Sequence, residues 1–119
     1  MKTPWSGGYY GARLEFGDDY PMAPPKVIFS PVINHPNVYR DGNVCLSLLS
    51  YQWRPSKTIK EIVVGLQELL DNPNPNSPAN GGASMMFRKN KKQYDEKTRE
   101  YAKLHTTPVL ASRKPAAKK

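Results

Sequence analysis

Alternation of apolar and polar residues predicts two short β-strands in the first third of the chain. Residues 9–16 alternate imperfectly, and three of their side chains can share one face: Tyr10, Leu14 and Phe16. Residues 26–29 form a second run that suits a strand. Between the runs, the prolines of residues 20–25 lack amide donors, so this stretch is predicted to be an extended connector.

Spacing of three and four residues between apolar side chains predicts a helix over residues 58–70. The recurring positions are Ile59, Ile62, Val63, Leu66, Leu69 and Leu70. Thr58 lies three residues before Glu61, which is the capping-box arrangement found at helix N-termini. The prolines and asparagines of residues 71–78 end this helix, because proline removes backbone donors and asparagine favours turns.

A last helical region is predicted over about residues 83–104, where Phe87, Tyr94 and Tyr101 recur every seven residues among many charges. Residues 30–50 show no helical period and are predicted to cross the surface irregularly. Strands followed by helices favour an α+β fold, with an antiparallel sheet packed against helices. We expect one domain over residues 1–110 and a basic, disordered tail over residues 111–119.

The excess positive charge of the chain lies after residue 87. The formal net charge is +8, yet residues 1–87 carry equal numbers of basic and acidic side chains. Four basic residues of the tail stand among Ala, Ser and Pro: Arg113, Lys114, Lys118 and Lys119. This composition is typical of a disordered segment, so the charge favours a solvated helix face and tail over specific nucleic-acid binding.

Candidate chemistry is confined to very few residue types. The chain has one cysteine, Cys45, and two histidines, His35 and His105, which excludes an internal disulfide and gives no ligand set for zinc. No metal and no cofactor are therefore expected. The chain has no long apolar run and no secretory signal, which predicts a soluble protein without membrane contact. By itself, a cysteine between Val44 and Leu46 is more often a buried small side chain than a nucleophile.

The residues around Cys45 change that interpretation. The ubiquitin-conjugating enzyme family has a signature that this segment resembles: His35-Pro36-Asn37, then Tyr39, Gly42 and Cys45, then Trp53 and Pro55. The similarity continues on both sides, through Tyr20-Pro21, Pro24-Pro25-Lys26, Leu69-Leu70, Pro73-Asn74 and Ser77-Pro78-Ala79. It covers nearly the whole chain to about residue 104.

The resemblance implies the conjugating-enzyme fold, in which an antiparallel meander sheet packs against helices. Relatives begin with an amphipathic helix and a first strand before the Thr3-Pro4-Trp5 segment. This chain is expected to lack both, and therefore to charge weakly or to be less stable. Four residues would have structural roles within the motif: His35, Pro36, Trp53 and Pro78.

The resemblance also implies a thioester mechanism. Cys45 would hold the C-terminal carbonyl of a small protein modifier, because sulfur is both a good nucleophile and a good leaving group. Asn37 would donate a hydrogen bond to the oxyanion formed when a lysine attacks, or would brace the loop, and the two roles are compatible. Tyr39 and Ser77 would surround the lysine and assist its deprotonation. Many relatives carry an acidic residue at the Ser77 position, so phosphorylation of Ser77, or a contribution from Asp41, stays open.

Two further groups of positions follow from the resemblance. The environment of the substrate lysine would comprise Lys26, Asp41, Asn43 and Ala79. Ligases would dock on Met22, Pro55 and Ser56. Asp41 and Asn43 replace the hydroxyl residues expected in SUMO-conjugating relatives, which weakens direct recognition of an acidic residue in the substrate.

The sequence favours SUMO over ubiquitin as the modifier. Thr3-Pro4-Trp5 and Thr58-Ile59-Lys60 resemble the SUMO-conjugating branch, whereas the short, uncharged interval of residues 46–52 and Arg40-Asp41-Gly42 resemble ubiquitin-conjugating relatives. Expected partners are SUMO or ubiquitin, an ATP-dependent activating enzyme, ligases and protein substrates with acceptor lysines, in the nucleus and cytoplasm. A ubiquitin-conjugating enzyme of the same fold and a non-catalytic scaffold remain alternatives. The presence of Cys45 and Asn37 disfavours the scaffold.

Overall fold

The computed structural model describes residues 3–107, so the tail predicted over residues 111–119 lies outside the described residues. Strand β1 (Ala12–Glu15) pairs antiparallel with strand β2 (Lys26–Phe29). Isolated bridges join Ile28 to Asn43 and Val38 to Val44, which extends the pair as an antiparallel meander. The strand predicted over residues 26–29 is confirmed, and the α+β class is confirmed as well.

Strand β1 is shorter than the run predicted over residues 9–16. Tyr10 and Leu14 pack against the core as expected. Phe16 does not share their environment: it lies just beyond the end of β1, is 49% exposed and sets its ring edge against Tyr20 at 4.7 Å between centroids. Side chains alternate between the two faces only while the backbone is part of the sheet, and Phe16 lies outside it.

Helix α1 (Ile59–Asp71) begins as the sequence predicts. The amide of Glu61 donates to Thr58 Oγ1 at 3.1 Å, and the amide of Thr58 donates to Glu61 Oε1 at 3.0 Å, which completes the capping box. The buried row of the helix is narrower than predicted and consists of Ile62, Leu66 and Leu69. Ile59 and Val63 are each 42% exposed, because they lie on the side of α1 that faces away from the core.

The helical region predicted over about residues 83–104 is confirmed, but it is not continuous. The segment forms two helices, α2 (Gly81–Lys89) and α3 (Lys91–Leu104), which meet at Asn90. Asn90 has a non-helical backbone, and its side chain accepts a hydrogen bond of 3.2 Å from the amide of Gln93. A side-chain cap of this kind satisfies an otherwise free amide at the start of α3. None of the described helices is long and apolar enough to span a membrane.

The core lies between the meander and α1. Its buried members are Trp5, Val27, Phe29, Ile33, Val38, Ile62 and Leu66. Tyr101 of α3 reaches this cluster through an edge contact with Trp5. Tyr94 of α3 is also buried, and its hydroxyl has no hydrogen-bond partner among residues 3–107.

Candidate active site

A tight hairpin presents Cys45. Gly42 turns it with a φ of +94°, and a Cβ at this position would lie 2.5 Å from the carbonyl oxygen of Phe29, so only glycine fits. The carboxylate of Asp41 accepts a hydrogen bond of 3.0 Å from the amide of Asn43, which closes the turn. At the open end, the amide of Cys45 donates to the carbonyl oxygen of Asn37 at 2.8 Å. The hairpin thus places Cys45 directly opposite Asn37, and the cysteine residue is partly exposed.

The segment after Cys45 is held against α1. A 3₁₀ turn, Ser47–Leu49, follows the cysteine. A methyl group at Gly65 of α1 would lie 3.4 Å from Leu48 Cδ2 and 3.5 Å from Leu46 Cδ2, so both leucines pack closely on this glycine. Cys45 is therefore fixed on both sides by ordered backbone.

His35 links the hairpin to α1 from a fully buried position. Its Nδ1 accepts a hydrogen bond of 3.0 Å from the amide of Asn37, which leaves Nε2 to donate to the carbonyl oxygen of Leu69 at 2.8 Å. Burial lowers the pKa of His35 from 6.5 to about 4, although the backbone carbonyls of Leu69 and Leu70 oppose that shift. A neutral ring with both nitrogens occupied organises the loop and has no capacity left to act as a base.

Asn37 is fully buried, and its side chain binds the loop that follows α1. Nδ2 donates to the carbonyl oxygens of Asn74 at 2.9 Å and of Ser77 at 2.7 Å. Oδ1 accepts from the amide of Asn74 at 2.7 Å. Both amide hydrogens are thus used within the protein, which is the bracing role. Donation to an oxyanion stays a prediction, and it requires one of these bonds to be exchanged.

The same loop is tied to the backbone beside Asn37. The carbonyl oxygen of Pro36, itself buried, accepts from the amides of Ala79 at 2.8 Å and Asn80 at 3.1 Å. Ser77 and Ala79 are partly buried and Pro78 is exposed. The structure therefore brings together residues far apart in sequence: Pro36, Asn37, Cys45, Ser77 and Ala79.

The chain that carries this partly exposed cysteine, buried amide and tethered loop matches a known protein family. A family model described as ubiquitin-conjugating enzyme matches residues 1–102. The chain belongs to the ubiquitin-conjugating enzyme family. It is 48% identical over 109 residues to a Sumo-conjugating enzyme, ubc9, of Dictyostelium discoideum, an alignment that covers 90% of this chain and 69% of that protein.

Tyr39 and Asp41 lie on the exposed side of this conjugating-enzyme site. Tyr39 is 46% exposed, and its amide donates to the carbonyl oxygen of Asn43 at 2.8 Å. Hydrogen bonds from Asn43 lower the pKa of Asp41, and the charge of Lys26 adds to this effect. These interactions favour the ionised form of Asp41.

The positions that the resemblance assigns to ligase docking lie on two joined loops. Trp53 Nε1 donates to the carbonyl oxygen of Pro21 at 2.9 Å, which connects the loop before β2 to the loop before α1. Met22 is 74% exposed, and Pro55 and Ser56 are exposed as well. Trp53 thus has a packing and bridging position, and ligase binding at the other three stays a prediction.

Sequence reasoning missed the partners that hold these residues. The carbonyl oxygens of Leu69 and Pro36 accept hydrogen bonds described above, and the backbone of Asn74 both accepts one and donates one. The repeated Asn-Pro pattern before Ser77 was the available signal, because asparagine next to proline favours turns with exposed backbone groups. In the described part of the chain, no three His, Cys, Asp or Glu side chains are grouped to hold a metal ion.

Proposed function

We propose that this chain accepts a SUMO-type modifier as a thioester on Cys45 and transfers it to lysines of protein substrates. Membership of the conjugating-enzyme family supports the reaction, and the 48% identity to a Sumo-conjugating enzyme supports the modifier. The observation that carries the proposal is the position of Cys45, partly exposed and paired through its amide with the Asn37 carbonyl.

The reaction consists of two acyl transfers. The Cys45 thiolate attacks the thioester carbonyl carbon of the modifier on its activating enzyme, and the thiolate of that enzyme leaves. A deprotonated lysine amine then attacks the same carbon, the Cys45 thiolate leaves, and an isopeptide bond remains. ATP is consumed by the activating enzyme, so no cofactor needs to bind this chain.

The surroundings of Cys45 suit the second transfer. Negative charge that develops on the carbonyl oxygen needs a donor already in place, and removing such a donor typically costs about a hundred- to a thousandfold in rate. Asn37 lies opposite Cys45 across the hairpin and can take this role if one of its bonds to the loop is exchanged. The family resemblance assigns Tyr39 and Ser77 to the surroundings of the incoming lysine.

Two alternatives remain testable. The uncharged residues 46–52 and the Arg40-Asp41-Gly42 turn favour ubiquitin, and the ionised state of Asp41 opposes an acidic residue in the substrate. A non-catalytic scaffold would not need Cys45 to be accessible.

We also propose activity in the nucleus and cytoplasm, with ligases bound through Met22, Pro55 and Ser56.

The deciding experiment incubates the chain with ATP and either the SUMO or the ubiquitin activating enzyme, each with its own modifier. A reductant-sensitive adduct with SUMO alone supports the proposal. An adduct with ubiquitin alone supports the first alternative, and no adduct with either modifier supports the scaffold.

A further inference from the structure

A cavity of about 430 Å³ lies between the segment that precedes β1 and the end of α3. Half of its lining comes from residues 3–7 and the other half from residues 99–106. The volume is within the range typical of ligand pockets. None of the lining residues belongs to the site around Cys45, so the thioester chemistry does not use this cavity.

Backbone hydrogen bonds hold the two walls of the cavity together. The amide of Tyr9 donates to the carbonyl oxygen of His105 at 2.7 Å, which joins the first segment to the residues after α3. Within the first wall, the amide of Thr3 donates to Ser6 Oγ at 2.9 Å, and the amide of Ser6 donates to the carbonyl oxygen of Thr3 at 3.0 Å. The cavity is therefore built from connected backbone segments.

The cations at the cavity have no anionic partner. Arg99 and Lys103 line it, and none of its lining residues is Asp or Glu. Neither side chain forms a salt bridge with another of residues 3–107. The two lie four residues apart on α3 and therefore share a face of that helix. Asp71, which accepts a hydrogen bond of 2.8 Å from Thr3 Oγ1, does not line the cavity.

Hydroxyl groups complement these cations. Ser6 Oγ accepts from the amide of Thr3, which leaves the hydroxyl hydrogen for another acceptor. Thr106 supplies a second hydroxyl from the opposite wall. Guanidinium, ammonium and hydroxyl donors together match the several acceptor oxygens of a phosphate group, and an arginine can bind two of those oxygens at once.

The size and composition of the cavity narrow the class of ligand. A volume of about 430 Å³ leaves room for a carbon skeleton and further phosphates beside the first phosphate group. None of the lining residues is aromatic, so a nucleobase would have no ring on which to stack. The basic residues 111–119 are poor occupants because Arg99 and Lys103 repel them.

We infer that this cavity binds a small polyol that carries several phosphate groups. Arg99 and Lys103 bind the phosphate oxygens, and the hydroxyls of Ser6 and Thr106 add hydrogen bonds to the same ligand. The inference does not depend on the proposed function, because no residue of the Cys45 site takes part.

The probe is inositol hexakisphosphate, and its binding to the whole chain is measured by titration calorimetry at low salt. Arg99→Ala with Lys103→Ala should weaken binding by about tenfold or more. Arg88→Ala with Lys92→Ala removes the same two residue types, at the same spacing, from exposed positions outside the cavity. This control should stay within about twofold of the parent. Equal weakening by the two double variants would overturn the inference, because binding would then follow net charge alone.

Two neighbouring threonines provide a matched test of the hydroxyl contribution. Thr106→Val removes a hydroxyl from the cavity at nearly constant volume and should weaken binding by about threefold. Thr107→Val makes the same change at an exposed residue that does not line the cavity, and should leave binding unchanged. Equal affinities of these two variants would overturn the place of Thr106 in the site.

A comparison of ATP with tripolyphosphate tests the exclusion of nucleobases. We expect the two affinities to agree within about twofold, because no aromatic ring lines the cavity. Much tighter binding of ATP would overturn the assignment to a polyol phosphate.

The outcomes separate this inference from the proposed function. A chain that forms the Cys45 thioester but does not bind inositol hexakisphosphate keeps the proposed function and overturns the phosphate site. Binding with the expected variant pattern, without any thioester, supports the phosphate site and removes the proposed function.

Discussion

The carbonyl oxygen of Asn37 accepts a hydrogen bond of 2.8 Å from the amide of Cys45, while the side chain of Asn37 donates to the carbonyl oxygen of Ser77 at 2.7 Å. One buried residue therefore connects the cysteine that would carry the modifier to the loop that would meet the lysine. The relative position of the cysteine and the loop therefore depends on Asn37 and on His35, which accepts a hydrogen bond from the Asn37 amide.

Asn37→Ala should lower both stability and lysine transfer. The substitution leaves the Asn74 and Ser77 backbone groups without their partner, which we expect to lower the free energy of unfolding by about 1–3 kcal/mol. Chemical unfolding measures the loss of stability, and discharge of the thioester to free lysine measures the loss of transfer. A large loss of discharge rate with unchanged stability would instead assign Asn37 to the oxyanion alone.

Ser77→Asp should accelerate discharge to lysine, because a carboxylate near the incoming amine favours removal of its proton. We expect a gain of about tenfold over Ser77→Ala, below the range for a well-placed general base. Asn76→Asp is the matched control, since it puts the same charge one residue away on an exposed side chain. Equal rates for Ser77→Ala and Ser77→Asp would remove charge at this position from the mechanism and, with it, a role for phosphorylation.

Stability should fall as the pH drops from about 6.5 to about 4 because of His35. Its pKa in the folded protein is about 4, so the unfolded chain takes up a proton in this window while the folded chain does not. The loss is about 1.4 kcal/mol per pH unit and reaches about 3 kcal/mol, levelling off below pH 4. Urea unfolding at several pH values should show a flatter profile for His35→Gln. His105→Gln should keep the steep profile, and identical profiles for both variants would contradict the prediction.

Tyr94→Phe should stabilise the fold. The hydroxyl of Tyr94 is buried without a hydrogen-bond partner in the described part of the chain, and burial raises its pKa, so it stays protonated. Removing an unpaired buried hydroxyl is expected to raise the free energy of unfolding by about 1 kcal/mol. Tyr51→Phe, at a position 83% exposed, should leave it unchanged. A loss of stability in Tyr94→Phe would show that the hydroxyl has a partner.

Local signals in the sequence were sufficient for the parts of the fold that local contacts determine. The capping box of Thr58 and Glu61 and the short strand β2 are of this kind. The break at Asn90 was also readable in principle, because Asn90 and Gln93 have the spacing of a cap, but the seven-residue aromatic repeat runs across this position without interruption.

Contacts between distant segments could not be predicted in the same way. The bond between Asn37 and Ser77 spans 40 residues, and no periodicity indicates it. The family resemblance identified Asn37 and Ser77 as site residues without giving their relative positions.

The central claim is that Cys45 carries the modifier. Cys45 is the only cysteine in the chain, so any thioester formed by this protein must be on it. The most direct measurement is intact mass and gel mobility after incubation with ATP, the SUMO activating enzyme and SUMO, for the parent chain, Cys45→Ser and Cys45→Ala. We predict a reductant-sensitive adduct for the parent, a reductant-resistant ester for Cys45→Ser and no adduct for Cys45→Ala. Undiminished conjugation by the Cys45→Ala variant would contradict the account.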